Sequence, residues 1–165
     1  MILRTAATVP PVPSEPVPAE PAPAELHATI ADRLRSLGQR HTPHRRALVD
    51  VLAAAGQPLA IPDIIGSDRA LAQSSVYRNL AALEQAGAVH RIVTSGDFAR
   101  YELAEDLTAH HHHLICSTCG DVADFTAPAS LEASLGRAIA KVADATGFAP
   151  AHHRLDLIGT CTRCA

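Results

Sequence analysis

The chain has 165 residues, 47% of them apolar, a formal net charge of −3, four cysteines and ten histidines, but no Trp, two Tyr and three Phe. That length suits one large domain or two small ones, with a core of Leu, Val, Ile and Ala. No run of 18 apolar residues exists, which excludes a membrane-spanning helix. The N-terminus reaches proline within ten residues without the apolar stretch of a secretion signal, so a cytoplasmic protein is expected.

Charge is unevenly placed. Residues 26–95 hold eight Arg against five Asp/Glu, whereas residues 96–165 hold five basic residues against nine acidic ones and all four cysteines. A basic front half and an acidic, His/Cys-rich rear half suggest two jobs on two domains. Residues 1–25, with seven prolines between Pro10 and Pro23, lack the side chains of a packed core and are expected to be a disordered Pro-rich tail.

Leu26, Ile30, Leu34 and Leu37 recur at helical spacing and stop at Gly38. Thr42-Pro43 supplies an N-cap and a first-turn proline for a second helix through Leu48, Val49 and Leu52, ended by Gly56-Gln57-Pro58. Ile61–Ile65 predicts a short third helix. Ser74 or Ser75 is expected to cap a fourth, Val76–Ala86, with Val76, Leu80 and Leu83 inward. Val89–Val93 and Phe98–Leu103 alternate around Gly96-Asp97, predicting a hairpin. Helices followed by a hairpin give a winged helix-turn-helix over residues 26–97, with the fourth helix in the major groove. Tyr77 and Arg78 fall early on that helix, where side chains reach bases or phosphates. The remainder, 98–165, predicts a small α/β unit. Its strands are His112–Cys116, Val122–Phe125 and Arg154–Gly159, with a helix Ser130–Thr146 presenting Leu131, Leu135, Ile139 and Val142 on one face. The fold class expected is therefore α+β, a winged helix-turn-helix followed by a small α/β domain.

Two Cys-x-x-Cys pairs, Cys116/Cys119 and Cys161/Cys164, bracket that unit. A two-residue gap lets both sulfurs of a pair face one ion at about 2.3 Å, and two pairs make a closed four-thiolate zinc site, structural because no coordination position is left open. Disulfides suit small secreted chains, and a thioredoxin-like motif uses one pair. Four histidines, His110 to His113, run into the first pair. On a strand, His111 and His113 share one face and His110 and His112 the other.

With Thr42-Pro43-His44-Arg45-Arg46, Ser75-Val76-Tyr77-Arg78-Asn79-Leu80, His110–Gly120 and His153…Cys164 in this order, residues 28–164 strongly resemble the ferric uptake regulator family, nearest in motif to its zinc uptake branch. The resemblance implies a dimeric repressor on double-stranded operator DNA, with the small α/β domain as its dimerisation domain. It also implies a regulatory divalent ion, most simply Zn2+ with Fe2+ as the alternative, and manganese, nickel and peroxide sensing left open. It assigns His90, Glu102, His111 and His113 to the sensing site and His110, His112, Glu132 and His153 to an additional one. It brings Arg45 to the DNA backbone with Arg46 assisting, and Ser74 and Ser75 to the DNA-facing start of the recognition helix. Where iron-responsive members supply a winged-domain histidine, this chain has Gln57-Pro58. Neither an enzyme, a membrane protein nor a small-molecule binder is expected. A zinc hydrolase is disfavoured because the chain has no His-Glu-x-x-His helix, and a metal-storage module without DNA affinity would be favoured if Arg78→Ala left operator binding unchanged.

Overall fold

The computed structural model describes residues 21–68, 71–94 and 99–165. The expected tail to residue 20 and the Gly96-Asp97 turn lie outside these residues. Helix α1 spans Pro23–Ser36, starting three residues before the expected Leu26 because Pro23 occupies its first turn. Helix α2 spans Pro43–Ala55, and the Thr42 hydroxyl accepts from the Arg45 N–H at 3.4 Å. Strand β1, Leu59–Ala60, is a short piece that the sequence reading missed. Helix α3 spans Ile61–Ser67, with an Asp63 oxygen taking the Ala60 N–H at 3.2 Å. Helix α4 spans Gln73–Gln85 with Ala72 at its N-cap. Ser74 and Ser75 are therefore first-turn residues and not caps, and the Ser75 hydroxyl accepts from the Asn79 amide at 3.0 Å instead.

Strands β2, Val89–Ile92, and β3, Arg100–Leu103, form the expected antiparallel hairpin, and β1 adds to the far edge of β3. The division expected between residues 97 and 98 lies outside the described residues. The ladder places Arg100–Leu103 with the first unit, because β3 is the central strand of its sheet. One continuous core joins these elements: Ile30 and Leu34 of α1, Leu48 and Val49 of α2, Ile64 of α3, Val76, Leu80 and Leu83 of α4, with Tyr101 and Leu103 of β3. Fully burying each such aliphatic side chain contributes about 1.5–3 kcal/mol.

A 3₁₀ turn, Glu105–Leu107, leads into the second unit: β4 His112–Cys116, β5 Val122–Phe125, α5 Ala129–Thr146 and β6 Asp156–Gly159. The expected third strand is two residues shorter at its start. Strand β4 is central, antiparallel to β5 and parallel to β6. Ile92 of β2 packs against Ile115 and Val122 in a second, small core that joins the two sheets. Helix α5 has its apolar residues on one face as predicted, yet none is buried, and Leu131, Val142, Phe148 and Ile158 are exposed. No helix among the described residues is long and apolar enough to cross a membrane.

Candidate metal centres and nucleic-acid interface

Among the described residues, three clusters of ligand-type side chains form, each with its donor atoms within 4.8 Å of one another. The first is Cys116, Cys119, Cys161 and Cys164. Parallel pairing of Cys116 with Gly159 brings the second Cys-x-x-Cys turn beside the first. Gly120, at φ +70°, lets the chain fold back so that its N–H reaches the Cys116 carbonyl at 2.9 Å. The Cys119 and Cys161 sulfurs are 3.8 Å apart. A tetrahedron with metal–sulfur bonds of about 2.3 Å has an edge of about 3.8 Å, whereas a disulfide needs about 2.05 Å. The sulfurs thus fit a shared ion. Backbone N–H groups of Cys119 and Cys161 stabilise the Cys116 thiolate and lower its pKa to about 6, which favours the metal-binding form.

The second cluster is Glu102, His111, His113 and Asp124. His113 lies on β4 and His111 immediately precedes it, two residues apart and with both rings turned to the same side, and the β4–β5 register sets Asp124 directly opposite His113. Glu102 comes from β3, in the other unit. Its Oε2 accepts from His113 Nε2 at 3.0 Å and His111 Nε2 at 3.3 Å. Asp124 approaches the same nitrogens at 3.8 and 3.9 Å, and its Oδ1 is buried without a hydrogen-bond partner. Burial would raise Glu102, but the hydrogen bonds from His111 and His113 outweigh it and hold its carboxyl at about 2. The Glu102 bond raises His111 to about 9 against the effect of burial, and burial raises Asp124. An orphaned carboxylate oxygen facing two imidazoles and a second carboxylate is the environment a divalent cation satisfies. A cavity of about 860 Å³, lined in part by His90, Glu102, His111 and His113, opens beside it.

His90 stands opposite Glu102 in the hairpin register but does not join this cluster. Its Nε2 is engaged by the Arg154 guanidinium, and burial followed by that guanidinium lowers its pKa. Asp124, absent from the expected set, takes its place. The signal was available in the sequence: a hairpin folded about the Cys116–Cys119 turn, with Ile115 opposite Val122, puts residue 124 across from residue 113. Asp156 was also missed. Its Oδ1 accepts from His113 Nδ1 at 3.2 Å and from Arg154 Nε at 2.8 Å, orienting the ring so that His113 Nε2 faces the cluster.

The third cluster is the expected His110, His112, Glu132 and His153. Glu132, from the first turn of α5, accepts from His112 at 2.6 Å and His153 at 3.1 Å, and lies 3.6 Å from His110 Nε2, itself buried and unpartnered.

On the first unit, Tyr77 and Arg78 project from α4 into solvent, as do Ser74 on the same helix and Arg46 on α2. Arg45 is placed differently from expectation. Its guanidinium donates to Asn79 at 3.2 Å, to the Arg40 carbonyl at 2.6 Å and to Gln39 at 2.5 Å, so it fastens α2 to α4.

An exposed Arg-bearing helix beside a wing, joined to a sheet carrying three metal-ligand clusters, defines a winged-helix metalloregulator. Residues 36–158 match the model of the ferric uptake regulator family. The chain is 33% identical over 128 residues to the ferric uptake regulation protein of Brucella abortus, covering 75% of this chain and 86% of that one. It is 30% identical over 145 residues to the peroxide-responsive repressor of Staphylococcus aureus, covering 85% and 91%. The Helicobacter pylori ferric uptake regulator, whose structure reveals three functional metal binding sites, superposes with a TM-score of 0.68 at 26% identity, covering 88% of this chain and 95% of that one. The chain belongs to the ferric uptake regulator family. The family's members are metal-responsive transcription regulators that bind operator DNA as dimers, which removes the hydrolase reading.

Proposed function

We propose that this chain is a dimeric repressor that grips operator DNA when a divalent metal fills the Glu102–His111–His113–Asp124 site, while Zn2+ in the four-cysteine site is structural. One observation carries the reading: Glu102 belongs to the central strand of the winged unit, whereas His113 and Asp124 belong to the second sheet and His111 to the segment that enters it. An ion held by all four fastens one unit to the other and selects one arrangement of the DNA reader. Tyr77, Arg78, Ser74 and Arg46 supply the DNA-facing surface, with Arg45 and Ser75 holding it in shape. The uncovered apolar face of α5, continued by Phe148 and Ile158, is the surface that a second copy buries.

Zinc and iron(II) are the two metals the site favours. Replacing His90 by Asp124 changes the donor set from three imidazoles and one carboxylate to two of each, a mixed set that suits iron(II) as well as zinc. The three imidazoles of the His110–His112–His153 cluster favour zinc there. The test uses a duplex selected from a random pool by the metal-loaded protein. Its affinity is titrated at buffered free Zn2+ and, without oxygen, Fe2+. Metal is expected to tighten binding by roughly 5–150-fold, the usual range of a coupling between two sites. The same affinity with and without every ion overturns the proposal.

A further inference from the structure

Arg100 opens β3, the central strand of the wing sheet, yet its side chain reaches out of that unit. Its Nε donates to the Gly120 carbonyl at 2.8 Å, and Nη2 lies 2.9 Å from Asp121 Oδ1. Nη1 donates to the Pro58 carbonyl at 3.4 Å and faces Asp63 at 3.9 Å. The guanidinium is therefore held between the first Cys-x-x-Cys turn and the α3 end of the winged unit, with its side chain only 16% exposed. The other Asp121 oxygen accepts from Arg163 at 2.5 Å, and Arg163 lies between Cys161 and Cys164. Asp121 is thus a junction where both cysteine turns and the wing meet. Beside it, Ile92 of β2 is buried on Ile115 and Val122.

We propose that the closed four-cysteine site builds a socket for the winged unit, the Gly120 carbonyl and the Asp121 carboxylate, into which Arg100 docks. The ion in the thiolate shell thereby positions the DNA reader as well as the second sheet. This rests on the reading of the four cysteines as a filled metal site. The socket needs both turns closed on one ion. The first turn aims the Gly120 carbonyl, and the second brings Arg163 onto one oxygen of Asp121, leaving the other for Arg100. Parting the two pairs removes Arg163 from Asp121 and loosens the backbone that carries both acceptors. Two donors on one rigid plane meet two acceptors side by side, a match for guanidinium that an ammonium group cannot make. No residue of this contact is a ligand of the sensing cluster, so the device is separate from the switch that reads metal levels.

The test compares full-length wild type with Arg100→Gln, Asp121→Asn and the double variant, each saturated with the sensing metal. Thiolate-bound metal content, dimer mass, operator affinity and amide exchange are measured on each. The single variants are expected to keep their ion and dimeric state. They should bind operator roughly tenfold more weakly and exchange the amides of 89–92 and 100–103 faster, and the double variant should be no worse than Arg100→Gln, because both changes remove one contact. Wild-type affinity and exchange in Arg100→Gln overturn the proposal, as do losses that multiply in the double variant. Should Arg100→Gln fail to fold, Arg100→Lys keeps the charge and stem but not the fork. It is expected to lose part of the affinity with the same exchange signature, and wild-type behaviour in it overturns the proposal equally. A wild-type protein with no thiolate-bound ion defeats the reading beneath the proposal, a result no Arg100 variant can produce.

Discussion

Replacing Asp124 with Asn separates a metal ligand from a structural residue, because the two roles predict opposite effects on the metal-free protein. Asp124 Oδ1 is buried with no hydrogen-bond partner, and burial raises the carboxyl's pKa. A folded-state value above the unfolded one means that ionised Asp124 opposes folding at neutral pH, and an orphaned acceptor of this kind costs about 1–3 kcal/mol. The neutral amide relieves that cost and can donate to Glu102, so the metal-free variant should melt at the wild-type temperature or a few degrees above it. Metal binding should move the other way. Residues that merely orient a ligand cost 10–100-fold in affinity when removed, so a charged direct ligand should cost at least about 100-fold, or about 2.8 kcal/mol. With free metal at 100 times the wild-type dissociation constant, wild type gains about 2.7 kcal/mol and the variant about 0.4. At about 2–4 °C per kcal/mol for a chain of this size, the metal-induced melting shift falls from about 5–11 °C to about 1–2 °C. Thermal melts with and without metal, alongside competition against a chromophoric chelator, read both effects. Metal affinity within threefold of wild type would refute the assignment, and so would a destabilised metal-free variant with an undiminished metal-induced shift.

His90→Ala should leave affinity at the sensing cluster within about threefold, since the ring faces Arg154 and not the other ligands; a loss near 100-fold, the scale of a direct ligand, would restore it to the set. Metal affinity should rise with pH up to about 9, by close to tenfold per pH unit for each proton displaced, because His111 is held protonated up to about 9 by Glu102 while metal requires neutral imidazole. Glu102, held at about 2, stays ionised across that range and adds no slope, and a flat profile in competition titrations from roughly pH 6 to 8 would contradict the assignment. Arg78→Ala should weaken operator binding by about 1–3 kcal/mol with unchanged metal affinity and melting, and an unchanged operator affinity would remove α4 as the reading helix.

The elements were legible where local rules govern them. The 3.6-residue spacing of Leu26, Ile30 and Leu34 and the Thr42 cap each concern a few neighbouring residues, and each appears in the structure; the strand expected over Val89–Val93 also forms, but Val89 and Ile92 are both buried, in different cores, so its burial does not alternate. The alternating faces of His110–His113 gave two of the clusters for the same reason. What escaped depends on contacts between distant segments. Arg154 reaches His90 across 64 residues, and only the tertiary fold shows that this contact keeps His90 out of the cluster. Asp124 enters through a strand register that the Cys116–Cys119 turn sets. Strand β1 has two residues, too few for any periodicity, and exists because β3 offers it a free edge. Arg45 was assigned to the DNA backbone by the family resemblance alone, and the partners Gln39, Arg40 and Asn79 converge on it only after α2 and α4 pack.

Strand β4 explains why three centres can coexist without sharing a ligand. Its odd face, with His111 just before it, carries His113 toward Glu102 of the wing, its even face carries His112 toward Glu132 of α5, and its end delivers Cys116 to the thiolate cluster. Each centre therefore fastens the same strand to a different neighbour, and emptying each should loosen a different joint. On the proposed reading, an ion on the odd face would set the angle of the DNA reader. One on the even face would hold α5, with its uncovered apolar residues, against the sheet, which bears on pairing with a second copy. Alternating donors along one strand would then separate the requirement for a stable dimer from the requirement for a responsive hinge, and two ions of different affinity could set the two independently.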